Sequence, residues 1–344
     1  MLRSFIILSI FLPFLSCQRS FLASDAPKCR ALCLEGGGDA GSWQAGVLSG
    51  FIKNLPASEV QYDVISGISV GSLNGLFVST YAKGDEINMI ENLLTLWRGL
   101  RKENVYKPWH GWYVMMVEAF FNQPSLFDNS PLKETMDEYV KGKTIQRKIS
   151  IGVTDATNAD VLTFDLDTLP MENVTQLILD STSMPAVFPY QTSNELILMD
   201  GGVMINIDVH SAVRRCKELG FEDKDIVIDA ILPTGASIDK IYSNVTYTGY
   251  DMYKRYKQIL EYRAALDDII HALNDFPNVD FRYIVFPLES IPSFTVPIFF
   301  DKDSIEQMIS LGEQDAKKVI ESKTPIGIND LIQRRYKRKA NAFV

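Results

Sequence analysis

The sequence is short of histidine, cysteine and positive charge. Of its 344 residues, three are histidine and four are cysteine, and 43 aspartates and glutamates outnumber 34 lysines and arginines, which gives a formal net charge of -9. Proteins that bind nucleic acids rely on clustered Lys and Arg side chains, so this balance argues against a nucleic-acid partner. A content of 46% hydrophobic and 22% charged residues is typical of a globular protein.

Cysteine is too scarce for a disulfide-rich scaffold. If a leader ending at Cys17 is removed, the odd number of cysteines that remains (Cys29, Cys33 and Cys216) cannot pair completely. Cys29 and Cys33 flank the start of a predicted strand, where we expect buried free thiols instead of a bridge or a metal site. The sequence contains no metal-ligand cluster, and we expect no cofactor.

Only the amino terminus has a long apolar run. Arg3 precedes an apolar segment over residues 5–15, which is followed by Ser16 and Cys17. This layout is typical of a secretory signal peptide and is short for a transmembrane helix. We therefore expect a signal peptide over residues 1–17, with an approximate cleavage site, and a protein that is secreted or lies in the secretory-pathway lumen. An uncleaved anchor is the alternative.

The rest of the chain is predicted to form one domain over residues 28–325, followed by a basic tail over 326–344. Strand-like runs alternate with helical stretches, which indicates an α/β fold with a largely parallel central sheet. The five basic residues within 334–339 are typical of a solvated tail, with weak attraction to an anionic membrane as the alternative. The sequence leaves the oligomeric state unknown.

One segment is unusually aromatic. The stretch WHGWYVMMVEAFF, residues 109–121, is too densely apolar for a simple surface helix. It is either a core helix packed on the sheet or a cap that lines an acyl-chain pocket, because flexible Met and flat aromatic side chains suit an irregular apolar ligand.

A Gly-x-Ser-x-Gly pentapeptide, Gly67-Ile68-Ser69-Val70-Gly71, lies between a predicted strand and a predicted helix. The pattern alone is weak, but a serine on a tight strand-to-helix turn has the position of a nucleophile elbow. Gly67 and Gly71 are expected because side chains there would collide where the strand and the helix cross. Ser69 is therefore a candidate nucleophile.

An acyl-transfer serine also needs N–H groups that stabilise the oxyanion. Gly36, Gly37 and Gly38 follow a hydrophobic strand and precede a helix, so their N–H groups and the helix dipole are predicted to form an oxyanion hole together with the N–H of Val70. A dinucleotide-binding loop is the competing interpretation. It is disfavoured because the turn lacks a clear Gly-x-Gly-x-x-Gly pattern with an acidic residue ending a second strand.

The scarcity of histidine makes the base that serves Ser69 the harder question. An ordinary α/β-hydrolase has Ser, Asp and His in that order. His271 lies inside a predicted helix and His110 precedes any acid partner, whereas His210 is not excluded by order alone.

Asp200 is the more attractive candidate for the base. It ends the apolar run LILM and is followed by Gly201 and Gly202. A carboxylate that emerges from a strand end into an apolar cleft is more basic because of desolvation, which suits it to accept a hydroxyl proton. A turn residue in an Asp-Gly pair is the alternative.

These motifs resemble those of patatin-like phospholipases. GGGDAG at 36–41, GISVG at 67–71 and DGG at 200–202 have the order and context of that family, and the resemblance extends over roughly residues 30–232. It implies a patatin-like three-layer α/β/α fold. It also implies a Ser-Asp dyad of Ser69 and Asp200 that acts without a histidine.

The expected activity is that of a lipid acyl hydrolase, of phospholipase A or lysophospholipase type, that acts through an acyl-enzyme. Its expected substrate is a phospholipid or another acyl lipid at the surface of a membrane or micelle, which the protein would bind peripherally. A transacylase and a non-catalytic lipid-binding protein are the alternatives. Two residues depart from the family pattern: Ala40 stands where the family often has Arg or Lys, and Asp208 stands where it has Pro.

Overall fold

The computed structural model describes residues 27–109, 123–234, 241–293 and 300–322. Four predicted features lie outside the described residues, in whole or in large part: the signal peptide over 1–17, His110, the aromatic stretch over 109–121 and the basic tail over 326–344. Within the described ranges no helix combines the length and hydropathy that a bilayer span requires.

The described residues contain ten strands and eight α-helices, numbered here in chain order. The strands are β1 (Cys29–Leu34), β2 (Val64–Ile68), β3 (Lys107–Pro108), β4 (Phe127–Asp128), β5 (Lys148–Asp155), β6 (Asp160–Asp165), β7 (Gln191–Ser193), β8 (Leu196–Asp200), β9 (Ile226–Ile231) and β10 (Asp280–Val285). The helices are α1 (Gly41–Asn54), α2 (Val70–Ser79), α3 (Glu86–Gly99), α4 (Ser130–Val140), α5 (Met171–Ser181), α6 (Val209–Glu218), α7 (Gly249–Asp275) and α8 (Lys302–Ser322).

The main sheet has the strand order β10-β9-β1-β2-β5-β8-β7, with β6 paired to β5. Strands β10, β9, β1, β2 and β5 are mutually parallel, whereas β6 and β8 pair with β5 in antiparallel orientation. The central strands β2 and β9 are buried along their whole length, as expected for parallel strands covered on both faces.

Helices cover both faces of this sheet. Alternate residues of β1 point to opposite faces: Leu32 and Leu34 join a core with α1, α3 and α8, whereas Ala31 and Cys33 join a second core with α6 and α7. The predicted three-layer α/β/α fold with a largely parallel central sheet is therefore confirmed.

The expectation of free thiols is wrong for one of the two cysteines near the first strand. Cys29 at the start of β1 forms a disulfide with Cys216 on α6, across a sequence separation of 187 residues. The two residues meet because α6 packs on the face of β1 from which Cys29 projects. Cys33 is the free and buried one, and burial raises the pKa of its thiol to about 12.

Candidate active site

Ser69 lies on a strained turn between β2 and α2. Its backbone has φ 53° and ψ -123°, a conformation that costs a non-glycine residue free energy and that is concentrated at functional sites. A Cβ on Gly67 would lie 2.4 Å from the carbonyl oxygen of Gly71, and one on Gly71 would lie 2.3 Å from that of Leu34. Both positions therefore require glycine, for the steric reason anticipated from the pentapeptide.

The sheet register brings Ser69 and Asp200 to one place. Strands β2 and β8 follow one another along the same edge of β5, because β6 occupies the opposite edge. Ile68 at the end of β2 is opposite Gly152, and Asp200 at the end of β8 is opposite the next residue, Val153. Two strands that approach from opposite directions thus meet with their carboxyl ends adjacent.

The side chains of Ser69 and Asp200 are hydrogen-bonded. Ser69 Oγ donates to Asp200 Oδ2 at 2.6 Å, and the backbone N–H of Gly202 donates to Asp200 Oδ1 at 2.8 Å. Ser69 is 8% exposed and Asp200 6% exposed. Burial raises the pKa of Asp200 to about 6, against the lowering effect of these two hydrogen bonds. The pair therefore has the geometry and the basicity required for proton transfer from the hydroxyl group.

Ser181 and Ser183 hold the turn and the carboxylate in position. The backbone N–H of Ser69 donates to Ser181 Oγ at 3.1 Å, and Ser181 Oγ donates to the carbonyl oxygen of Gly152 at 2.8 Å. The carbonyl oxygen of Ser183 accepts from the backbone N–H of Asp200 at 2.9 Å. In the sequence, small hydroxyl residues before a Pro-containing stretch were a usable signal for this support.

The glycine loop lies against the serine. A Cβ on Gly36 would be 3.2 Å from Ser69 Cβ, so the loop and the nucleophile are in close approach. Gly38 has φ 57°, a left-handed conformation that favours glycine. None of the described residues accepts a hydrogen bond from the N–H groups of Gly37, Gly38 or Val70.

Gly36 differs from the expectation that all three glycines of the loop offer free N–H groups. Its N–H donates to the carbonyl oxygen of Asn206 at 3.1 Å and is therefore already used within the fold. The prediction that Gly36 supplies a free oxyanion donor is wrong for this structure, because the Asn206 carbonyl already accepts its N–H. Gly36 also packs closely, since a Cβ there would lie 2.6 Å from Asn206 Oδ1.

Glu35 was missed by sequence reasoning. It directly precedes the glycine loop, is completely buried, and uses both carboxyl oxygens: Oε1 accepts from Asn206 Nδ2 and Oε2 from the backbone N–H of Thr234, each at 2.9 Å. Burial raises its pKa to about 8, opposed by these hydrogen bonds. A charged residue directly after the apolar run ALCL, residues 31–34, was the signal that could have found it.

Asn206 joins the loop to the Asp-Gly-Gly turn. Besides its bonds to Glu35 and Gly36, its backbone N–H donates to Asp268 Oδ2 at 2.7 Å. A Cβ on Gly202 would lie 2.8 Å from Asn206 Oδ1, so the amide is wedged between the two parts of the site. Gly201 is equally confined, since a Cβ there would lie 2.5 Å from the Gly152 carbonyl oxygen.

The described histidines do not contact Ser69. His210 Nε2 lies 2.9 Å from Asp275 Oδ2 on an exposed surface, and His271 is exposed on α7. Of the two departures from the family pattern, Ala40 is buried beside the loop, and Asp208 Oδ1 accepts from the backbone N–H of Ser211 at 2.9 Å. Asp208 thus caps α6, a role for which its carboxylate is well suited.

The described part of the chain contains no group of three or more His, Cys, Asp or Glu side chains arranged to hold a metal ion. The chemical groups at the site are thus a hydroxyl, a buried carboxylate and backbone N–H donors. This set fits acyl transfer to and from a serine.

Comparison with protein families agrees with this arrangement. The model of the patatin-like phospholipase family matches residues 32–213, which is more than half of the chain. The chain belongs to that family, and its membership supports lipid ester hydrolysis as the general activity. No curated protein matches the chain at a significant level.

Among solved structures, the chain is similar to VipD from Legionella pneumophila, with 13% identity and a TM-score of 0.42 over 87% of this chain and 67% of VipD. It is also similar to ExoU from Pseudomonas aeruginosa in two complexes with SpcU, with 10% and 12% identity and TM-scores of 0.36 and 0.37 over 86% of this chain. The chain spans about half of ExoU, 53% and 52% in the two structures.

Proposed function

We propose that the protein hydrolyses fatty-acyl esters of phospholipids, lysophospholipids or related lipids, with Ser69 as the nucleophile and Asp200 as its base. The observation that carries this proposal is the 2.6 Å hydrogen bond from Ser69 Oγ to a buried carboxylate, on a strained strand-to-helix turn. Family membership supplies the lipid ester as substrate class.

The chemistry follows from the groups at the site. Ser69 Oγ attacks the acyl carbon while Asp200 takes its proton, and the negative charge that develops on the carbonyl oxygen is stabilised by the N–H groups of Gly37, Gly38 and Val70. Asp200 then returns the proton to the leaving alcohol, which leaves an acyl ester on Ser69. Water, deprotonated by Asp200, releases the fatty acid and restores the hydroxyl group.

The test measures fatty-acid release from phospholipid and lysophospholipid micelles, with mass spectrometry of the products, for the native chain and for Ser69→Ala. We expect free fatty acid from the native chain and none from Ser69→Ala. Ser72→Ala is a matched control, because Ser72 Oγ donates only to the carbonyl oxygen of Ser69 in this turn. Equal release by Ser69→Ala would contradict the proposal, and adding a lipid alcohol distinguishes hydrolysis from acyl transfer, since a transacylase would give a new ester in place of free acid.

We also propose that the protein matures in the secretory pathway. The Cys29–Cys216 disulfide supports this, because structural disulfides persist in oxidising compartments. Peptide mapping without reduction tests it: a linked pair of peptides, in a chain that begins near residue 18, is the expected result. Reduced cysteines and an intact amino terminus in protein isolated from its native cells would contradict it.

A further inference from the structure

Helix α7 has two halves that differ sharply in burial. In its C-terminal half Leu266, Ile269, Ile270 and Ala272 are buried against the sheet, whereas no described side chain before Leu266 on this helix is buried. The N-terminal half, residues 249–263, nevertheless exposes large apolar side chains: Met252 (47%), Tyr253 (60%), Tyr256 (55%), Ile259 (42%) and Leu260 (46%). An exposed apolar patch of this kind usually marks an interaction surface.

This exposed half extends past the edge of the sheet at which the candidate active site lies. Strands β9 and β10 are parallel, so the helix between them begins at the carboxyl edge of the strands and runs back. The contact between Asp268 Oδ2 and the backbone N–H of Asn206, at 2.7 Å, marks the level of the site on the helix. At 1.5 Å per residue, Leu260 lies about 12 Å and Tyr253 about 22 Å beyond that level.

The turn that follows Asp200 contributes to the same edge. Val203 is 50% exposed and Met204 is 45% exposed, and both lie within a few residues of Asn206. The apolar side chains of the helix and of this turn therefore flank the candidate site at the same end of the molecule.

The composition of the exposed half matches an anionic lipid surface. The sequence GYDMYKRYKQILEYR over 249–263 has four basic and two acidic residues, a net charge of +2 on a chain of formal net charge -9. Tyrosines are enriched at membrane–water interfaces, and helices that combine apolar with Lys and Arg side chains lie in that interface. A second copy of the chain would bring two positively charged segments together in a two-fold contact, which is unfavourable.

We propose that residues 249–263 of α7, together with Val203 and Met204, dock the protein on the surface of an anionic lipid bilayer, with the candidate active site at the docked end. This inference rests on the proposed function, since a lipid hydrolase must reach its substrate at an interface. Binding itself requires no turnover and is measured separately from catalysis.

The experiment is flotation of the full chain with vesicles of phosphatidylcholine alone or mixed with phosphatidylserine, in a Ser69→Ala background so that no lipid is consumed. The test variant is Tyr253→Ser/Tyr256→Ser/Leu260→Ser. The control is Ile87→Ser/Leu219→Ser, which alters side chains that are 60% and 42% exposed. Both control residues lie near the amino edge of the sheet. Ile87 follows Glu86, which pairs with Arg147 directly before β5, and Leu219 directly follows α6, the helix before β9.

We expect the parent chain to bind the mixed vesicles. The triple variant should bind them more weakly, on the order of 10²-fold, and the affinity of the control should change by less than about twofold. Arg255→Glu/Lys257→Glu tests the electrostatic part without removing apolar area. It is expected to weaken binding to the mixed vesicles by at least about 20-fold, at roughly fivefold per basic residue removed.

Equal binding of the triple variant and the parent chain would overturn the proposal. It would also be overturned if the parent chain bound neither kind of vesicle. Loss of a dimer in the triple variant, seen by light scattering, would instead assign this surface to a second copy of the chain. Hydrolysis of a soluble short-chain ester, measured in a chain that retains Ser69, separates the two proposals. An active triple variant that no longer binds vesicles supports both, whereas a parent chain that binds vesicles but cleaves no ester contradicts only the proposed function.

Discussion

Two buried carboxylates lie at the same edge of the sheet and have different surroundings. Asp200 accepts from a side-chain hydroxyl, Ser69 Oγ, and has a pKa of about 6. Glu35 accepts from Asn206 and from the backbone N–H of Thr234, and has a pKa of about 8. Burial raises both values, but only Asp200 is in contact with a group that can react.

The two carboxylates at this edge of the sheet therefore have different roles: one takes part in the reaction and the other supports the site. Asp200 is ionised near neutral pH and adjoins the nucleophile, so it is suited to accept a proton. Glu35 is largely protonated there and is bonded to the chain segments around the glycine loop. We infer that Glu35 is a positioning residue, which acts through Asn206 on the spacing between the loop and the Asp-Gly-Gly turn.

The largest expected effect is on the chemical half of the comparison. Ser69→Ala and Asp200→Asn are each expected to lower kcat for a soluble ester by at least about 10⁴-fold, because nucleophile and base act as a unit. Steady-state kinetics on the purified chain measures this. A double variant should be no worse than either single one, and additive losses would show that the two residues act independently.

The supporting half is expected to have a smaller effect. Glu35→Ala removes the acceptor of two buried donors and should lower kcat on the order of 10²-fold, the size of one lost oxyanion donor, with KM changed by less than about threefold. Glu35→Gln keeps one side-chain oxygen that accepts either from Asn206 Nδ2 or from the Thr234 N–H, so it removes one buried acceptor where Glu35→Ala removes two. It should retain activity within several-fold, and an equal loss in both variants would contradict the positioning role.

The pH profile separates the two carboxylates. The pKa of Asp200 is raised from its ordinary value to about 6, so its base form is lost as pH falls through 6, and kcat/KM should drop about tenfold per pH unit below that value. The same shift means that the folded state holds this proton more tightly, so its contribution to stability declines as pH rises from about 3.8 to 6. Glu35→Gln should leave the acidic limb of kcat/KM unchanged, and a displaced limb would assign it to Glu35 instead.

The smallest effect on activity is expected from a third buried carboxylate that lies away from the site. Asp315 on α8 accepts from Trp43 Nε1 at 3.0 Å and is 3% exposed. Asp315→Asn should lower the free energy of unfolding by about 1 kcal/mol while kcat stays within about twofold. Thermal unfolding and ester kinetics together check this, and a large fall in kcat would show that burial alone, and not position, makes a carboxylate important here.

Much of the fold and the residues of the candidate site were predictable from local sequence. Ser69 lies between a strand and a helix, and Asp200 ends a strand, so the order of elements predicted their positions. The flanking glycines followed from steric crowding in the turn, which is a short-range effect. Such features depend on neighbours in sequence and are readable without a structure.

The features that were not predictable depend on contacts between distant segments. The Cys29–Cys216 disulfide spans 187 residues, and the partners of Glu35, Asn206 and Thr234, lie 171 and 199 residues away. The N–H of Gly36 was expected to be free because nothing local indicates that the Asn206 carbonyl reaches it. Pairing of β1 with β9 and packing of α6 on one face of the sheet determine these contacts, and periodicity alone does not specify which strands pair or which helices share a face.

The most direct test of the central claim is labelling with a fluorophosphonate, followed by mass spectrometry of the modified peptide. We expect stoichiometric modification of Ser69 in the native chain, and no modification in Ser69→Ala or in Asp200→Asn. Modification of a different serine, or undiminished labelling of Asp200→Asn, would contradict the claim that Asp200 activates Ser69.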